Sequence, residues 1–588
     1  MSNASRATRT HGQTHLLAGL ATALLGSSML AAPALARESH ALPSCGLLAN
    51  QLLQHKDIRS ATAAIQPAAG ANVSYCLVQI NVSELQGPEA GYLPGQRQNV
   101  NIVIGLPLSL ADGGSGGVQG AWNGRNEDFG GGGYVGSVSI PQLTVGTNAG
   151  YASSDTDAGN QGNGSGAFAL NPDGTLNFGL IRDFSFNAIH EQNVWTRSLV
   201  EMYYGMSPRY NYWNGCSTGG RQAHMQAQMF PNDFDGLLGG DPAIAFDRLS
   251  TAQQWGQVAM NQVVGAPVSP AKLQAVTQAA IAACDPIDGI PDGVIQDPRA
   301  CHFNAKQFVC GGKGADPANC LTAAEAEAVN QIWDGPPGPN GDELPLWFGM
   351  EPGTPLSTLD GTNPFSIPVD WLRFWVFQNP NFDWHTLTET SFDQAFREGE
   401  IKFNQVVGTY DTDLSAFKKH GGKLITYHGL ADNIIPSRST YNYYNQVTER
   451  QGGLEQTQKF YRFFPFPGNN HCGGNSTQPN APLINSNDLF TALVNWVEHS
   501  DAPEFVVAHN AATPAASTVS RPICKYPDTL VYNGSGSTGE ASSFHCEVRK
   551  TDPLMAEEDI LPEPAAAGGD DGHGHDGQDQ NGQGQNGQ

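Results

Sequence analysis

The sequence predicts an α/β fold in which a sheet of strands alternating with helices is interrupted by one long insertion. Three observations predict it. From Cys45 to about Gly240, strand-like and helix-like stretches alternate. From 241 to 415 that rhythm breaks into proline-rich clusters such as "DGPPGPNG", with four cysteines and several tryptophans. It then resumes to about Cys546. At 588 residues the chain is long enough for a large core and more than one domain.

Each element has its own signal. "QNVNIVIGLPL" is β-branched and bounded by turn residues, so it reads as a strand. "EQNVWTRSLVEMYYG" carries apolar residues at helical spacing and closes on Gly205. "RYNYWNG" predicts a strand and "RQAHMQAQMF" a helix, with "GCSTGG" between them. Gly215-Cys216-Ser217-Thr218-Gly219 fits G-x-S-x-G, the sharp strand-to-helix turn that exposes a nucleophilic serine in α/β-hydrolases. After the insertion, "GGKLITYHGLAD" and "QKFYRFFPFPG" read as strands, and "RSTYNYYNQVTERQGG" and "DLFTALVNWVEHSDAP" as helices. The fold expected is therefore an α/β-hydrolase core, residues 37–240 and 416–550, with a large inserted lid domain at 241–415. An independent domain is the alternative reading of the insert.

The termini differ from this core. Arg6 and Arg9 precede the apolar stretch "LLAGLATALLGSSMLAAPALA", which ends in the A-x-A site Ala34-Leu35-Ala36. This is the pattern of a secretory signal at 1–36, with a membrane anchor as the rival. The expected location is secreted or periplasmic. Residues 551–588 form an acidic tail rich in Gly, Gln and His. It is too polar to offset its ordering entropy and is expected to be disordered, with His573 and His575 as weak metal ligands at most. Lys and Arg total 30 against 56 Asp and Glu, a formal charge of −26. That balance argues against nucleic acid or an anionic membrane surface as partner.

Candidate catalytic groups fall at strand ends. In α/β-hydrolases the acid and then the base follow the serine. "KLITYHG" runs into Leu430-Ala431-Asp432, and "FYRFFPF" into Pro467-Gly468-Asn469-Asn470-His471-Cys472. A serine hydroxyl needs a base to take its proton, so His471 is expected to activate Ser217 while Asp432 holds the imidazole tautomer. The resulting oxyanion needs preorganised N–H donors. Thr218 is one candidate and Gly133 the other, with Gly132 beside it in "FGGGGYVG".

The ten cysteines of an exported chain suggest five disulfides, and the absence of any C-x-x-C pair disfavours zinc. Cys216 precedes the expected nucleophile and Cys472 follows the expected base. If Ser217 and His471 meet, their neighbours are expected within the ~5–6 Å Cα separation of a bridge. Cys216 as nucleophile, or two free thiols, are the other readings.

Taken together, "GCSTGGRQ", "FPNDFDG", "YHGLAD" and "PGNNHC" resemble the tannase and feruloyl esterase family of α/β-hydrolases. The resemblance covers about Cys45 to Cys546. It implies a serine esterase that acts through an acyl-enzyme on small phenolic or aromatic esters, free or joined to plant polysaccharide or tannin. A feruloyl esterase is the leading reading, and tannase, terephthalate monoester hydrolase and a silent binding protein are the alternatives. It also implies a structural Ca2+ in the lid, held by Asp285, Asp288 and Asp292 with the carbonyls of Ile290 and Val294 in "CDPIDGIPDGVIQD". The implied disulfides are Cys45–Cys76, Cys216–Cys472, Cys284–Cys301, Cys310–Cys320 and Cys524–Cys546. Trp384 resembles the lid tryptophan that stacks on the aromatic acid in the related mono(2-hydroxyethyl) terephthalate hydrolase. Two positions depart from the pattern. His420 stands where that hydrolase has a carboxylate-gripping arginine, and Asn160 stands where a histidine is expected.

Overall fold

The computed structural model describes residues 42–83, 98–160, 162, 164–312, 317–338, 345–473, 476–511 and 517–554. The expected signal segment and the tail from 555 onward, including His573 and His575, lie outside them. Among the described residues nine strands form the central sheet: β1 (Ile58–Gln66), β2 (Tyr75–Val82), β3 (Val100–Pro107), β4 (Arg125–Phe129), β5 (Ala152–Thr156), β6 (Tyr210–Cys216), β7 (Gly236–Gly240), β8 (Lys423–Gly429) and β9 (Tyr461–Phe466). Their spatial order is β1-β2-β3-β5-β4-β6-β7-β8-β9. The first three pairings (β1-β2, β2-β3, β3-β5) are antiparallel, and from β5 through β9 every pairing is parallel. Parallel neighbours need crossovers, and four of the helices that supply or flank them are α1 (Ala188–Tyr204), α2 (Thr218–Met229), α3 (Arg438–Arg450) and α4 (Ser486–His499). This is the predicted α/β fold, and the elements read from sequence fall where they were expected. Gly205 closes α1 at φ 73°, in the left-handed conformation that suits glycine at a helix C-cap.

Several sheet strands carry no hydrophobic signature. β4 is Arg-Asn-Glu-Asp-Phe and β5 is Ala-Ser-Ser-Asp-Thr, yet Asn126 to Phe129 and all of β5 are buried. Their carboxylates are hydrogen-bonded: Ser154 donates to Asp128 at 2.6 Å, Asn193 to Asp128 at 3.2 Å, and Asn214 to Glu127 at 3.0 Å. Burial pushes the carboxyls of Glu127 and Asp128 up to about 7. β7 is Gly-Leu-Leu-Gly-Gly because its neighbours leave no room; a Cβ on Gly240 would lie 2.0 Å from the Tyr427 ring.

Among the described residues, no strand of the central sheet comes from 241–415. Among the described residues that segment is largely helical, and its longer helices carry strong start signals. Ser269 caps Pro270–Cys284, and Thr322 with Glu325 forms a capping box on Ala323–Asp334. Part of the insert has its own apolar cluster, including Leu273, Val276, Phe308, Ile332 and Trp333. Another part joins the main core, where Trp371, Trp375 and Phe403 pack together and Trp375 lies against Tyr134. Tyr134 directly follows the glycine run and donates its hydroxyl to Ile367 O at 3.2 Å. The insert thus packs on the loop expected to carry an oxyanion donor.

All ten cysteines are paired, in the five pairings that the family resemblance implied. Cys524–Cys546 joins two small hairpin sheets, β10 (Phe505–His509) with β11 (Ser520–Cys524) and β12 (Thr529–Tyr532) with β13 (Phe544–Glu547). No helix among the described residues is long and apolar enough to cross a membrane.

Candidate active site

Ser217 stands between β6 and α2 at φ 63°, ψ −121°, a region that non-glycine residues rarely occupy. The surroundings fix it there. Its amide donates to Gly240 O at 2.9 Å, and its carbonyl accepts from Ala243 at 3.2 Å and Arg221 at 2.9 Å. The glycines of the motif are required by close approach. A Cβ on Gly215 would lie 2.7 Å from the Gly219 carbonyl carbon, and one on Gly130 would lie 2.6 Å from Gly219 Cα. The elbow and the glycine run therefore touch backbone to backbone.

That contact positions the candidate oxyanion donors. Gly131 donates its amide to Gln222 Oε1 at 3.2 Å, and the Thr218 hydroxyl donates to Gly133 O at 2.6 Å, with Gly133 at φ 55°. The amides of Thr218, Gly132 and Gly133 have no acceptor among the described residues. Asn160 donates from Nδ2 to Tyr134 O at 2.9 Å and Ser165 O at 3.3 Å, which braces the end of this run. The asparagine that departs from the family pattern thus has a local structural role.

Asp432 follows β8 and His471 follows β9, as expected. His471 Nδ1 lies 2.8 Å from Asp432 Oδ2, while Asp432 Oδ1 accepts from the amides of Ile434 and Ile435 at 2.8 and 3.0 Å. Burial opposes ionisation of Asp432, but His471 and His428 beside it outweigh that and hold its carboxyl well below the usual carboxylate range. Burial likewise opposes protonation of His471, yet Asp432, and behind it Asp241, raise its pKa above the ordinary histidine value. The Cys216–Cys472 disulfide, with Cα atoms 5.9 Å apart, ties the residue before Ser217 to the residue after His471. It excludes Cys216 as a free nucleophile.

Two buried groups escaped the sequence reading. His428 Nε2 lies 3.1 Å from Asp432 Oδ2, and its Nδ1 lies 2.8 Å from Thr440 Oγ1. Asp241 follows β7 and contacts all three loops that carry the candidate triad. A lone aspartate after "LLGG" has no pattern that would announce it. His428 does lie within "YHGLAD", but nothing in that string marks it as a partner of Asp432.

The other predicted positions are less converged. Asp285 Oδ1 accepts from the amides of Asp292, Gly293 and Val294 at 2.9–3.2 Å. Asp288 accepts from Ile290 at 2.8 Å, and one Asp292 oxygen pairs with Arg521 at 2.7 Å. The three carboxyls are near enough to feel one another's charge. Asp288 is pushed up to about 6, by burial first and then by Asp292 and Asp285. Their oxygens do not converge within 4.8 Å, as the carboxylate oxygens of Asp241 and Asp432 do with a ring nitrogen of His428. The donor chemistry still suits a hard cation, since half-buried carboxylates and turn carbonyls crowd one glycine-containing loop. Trp384 is 7% exposed, stacked on His385 with centroids 3.8 Å apart, and belongs to the main apolar cluster. His420 ends the helix Ser415–His420.

A serine on a strained elbow, a histidine–aspartate pair on the two loops that follow β8 and β9, and the sheet order together define a hydrolase of the α/β class. Comparison narrows the class. The model of the family "Tannase and feruloyl esterase" matches residues 118–357 and 370–547, and the chain belongs to that family of carboxylic ester hydrolases. A "Probable feruloyl esterase" of Arthroderma benhamiae is 34% identical over 465 residues, covering 76% of this chain and 83% of the relative. A "Probable feruloyl esterase B-2" of Neosartorya fischeri is 33% identical over 440 residues, covering 72% and 81%. The crystal structure of feruloyl esterase B from Aspergillus oryzae superposes with TM-score 0.71 at 28% identity, covering 85% of this chain and 99% of that one. The tannin acyl hydrolase from Aspergillus niger shares the fold, with TM-score 0.72 at 23% identity over 89% and 97%.

Proposed function

We propose that this chain is a secreted or periplasmic serine esterase of the feruloyl esterase type, which cleaves small phenolic esters through an acyl-enzyme on Ser217. The observation that carries the reading is the joining of a strained-elbow serine, through Cys216–Cys472, to a loop whose histidine bonds a buried, ionised aspartate.

The chemistry follows from the geometry. His471 takes the Ser217 proton as the hydroxyl attacks the ester carbonyl, and Asp432 stabilises the imidazolium that forms. The amides of Thr218 and Gly133 receive the oxyanion, held in place by the Gly130–Gly219 contact and by Gln222. The imidazolium then protonates the leaving alcohol. Water, activated by the same histidine, releases the acid and restores Ser217. By the family resemblance Trp384 would offer an aromatic face to the acyl group, although here its ring is packed on His385 in the main apolar cluster. Asp285, Asp288 and Asp292, with the carbonyls of Ile290 and Val294, would hold a Ca2+ that braces the insert and takes no part in the chemistry.

Initial rates of the purified protein on methyl ferulate and methyl gallate test the reading, with Ser217→Ala as control. We expect turnover of methyl ferulate that is lost in the variant. Faster cleavage of methyl gallate would assign a tannase, and cleavage of neither ester would overturn the substrate class.

A further inference from the structure

The buried carboxylate of Asp241 lies outside the Ser217–His471–Asp432 set, yet it reaches the segments that carry all three. Asp241 is the first residue after β7, fully buried, at φ 37°, with its amide donating to Tyr427 O at 2.8 Å. Oδ1 accepts from the amide of Gly429, three residues before Asp432, at 2.7 Å. Oδ2 accepts from the amide of Cys472, next to His471, at 3.1 Å, and lies 3.4 Å from Cys216 Sγ, next to Ser217. Cys472 itself sits at φ 58°, so the bond from its amide supports a backbone shape that side-chain-bearing residues resist.

We propose that Asp241 is a positioning residue for the esterase reaction, one carboxylate that fixes the acid and base loops against each other beside the nucleophile elbow and lends its negative charge to the imidazolium of His471. The proposal rests on the reading of Ser217, Asp432 and His471 given above. The carboxylate form is what the contacts demand, because two backbone donors arrive on its two separate oxygens. An asparagine of the same shape has a single acceptor and would turn an NH2 group toward one of those donors. The charged and titratable groups that face Asp241 are His428 and Tyr427 from β8, Asp432 from the following loop, and His471 from the loop after β9. Burial pushes the Asp241 carboxyl up to about 7, with His428 drawing it back and Asp432 adding to the rise.

The test is Asp241→Asn, with rates expressed per serine labelled by a fluorophosphonate so that unfolded protein is not counted. Loop misplacement without loss of substrate contacts should lower kcat about 10- to 100-fold and leave KM within about twofold. Loss of the anion should also lower the pKa of His471, moving the acid limb of kcat/KM to lower pH. Unchanged kcat per site, or a fall in kcat with the acid limb unmoved, would overturn the proposal. Ser217→Ala run in parallel separates this failure from failure of the esterase reading, because an active Ser217→Ala would sink that reading first. Should Asp241→Asn not fold, hydrogen exchange of the wild-type protein decides. The Gly429 and Cys472 amides should lose protection together as the pH is lowered through the carboxyl's titration, and exchange of either at the free-loop rate throughout would refute the proposal.

Discussion

Ser217 is held in an unfavourable backbone conformation by three backbone hydrogen bonds and two glycine contacts, and a scaffold that enforces such strain is one built to expose the side chain. Replacing it by alanine should lower kcat by about 10⁶-fold while leaving the fold intact, since residues that act as a unit are lost together. The pH dependence follows from His471. Asp432 and Asp241 raise its pKa, and the neutral form is the base, so activity should be lost as the pH falls through a value above the ordinary ~6.5. A kcat/KM profile reads that limb directly, and a midpoint at or below the ordinary histidine value would contradict the electrostatics described. At this scale the sequence was informative because the chemistry imposes order. Ser217, Asp432 and His471, the residues proposed as nucleophile, acid and base, each follow a strand of the sheet. Asp241 and His428 were not legible, because their roles come from loops distant in sequence meeting in space.

Among the elements, the disulfides separate into two kinds. Cys216–Cys472 closes a loop of 256 residues and Cys310–Cys320 one of only 10. On the chain-entropy model, removing the first costs about 5 kcal/mol and the second about 3. Denaturant unfolding of Cys216→Ser/Cys472→Ser and of Cys310→Ser/Cys320→Ser should show that order, and only the first pair should also depress kcat. The strands were unevenly legible. β3, β6, β8 and β9 announce themselves by apolar and aromatic residues, whereas β4 and β5 are polar and β7 is mostly glycine. Hydrophobic periodicity misses strands whose burial is compensated by side-chain hydrogen bonds or dictated by a neighbouring ring. Four of the five disulfide pairings likewise came from family resemblance, because ten cysteines alone leave the connectivity open.

For the whole molecule, the insert and the hydrolase sheet share part of one core through Trp371, Trp375 and Phe403. The Asp285–Val294 loop is tied by Asp292 to Arg521 of β11. A cation bound there would brace the insert against the C-terminal strands, so chelator should lower the melting temperature by several degrees while leaving kcat at 25 °C near its original value. An unchanged melting temperature would remove calcium from the account. The break in the sequence's rhythm suggests the insert, but how that segment packs on the glycine run through Tyr134 and Ile367 is a property of the folded chain alone.

The most direct test of the central claim is covalent. The purified protein is treated with a fluorophosphonate and digested, and the modified peptide is mapped by mass spectrometry. The account predicts a single adduct on Ser217, loss of esterase activity in proportion to labelling, and no labelling in His471→Ala. An adduct on another residue, or full activity after Ser217 is modified, would contradict it.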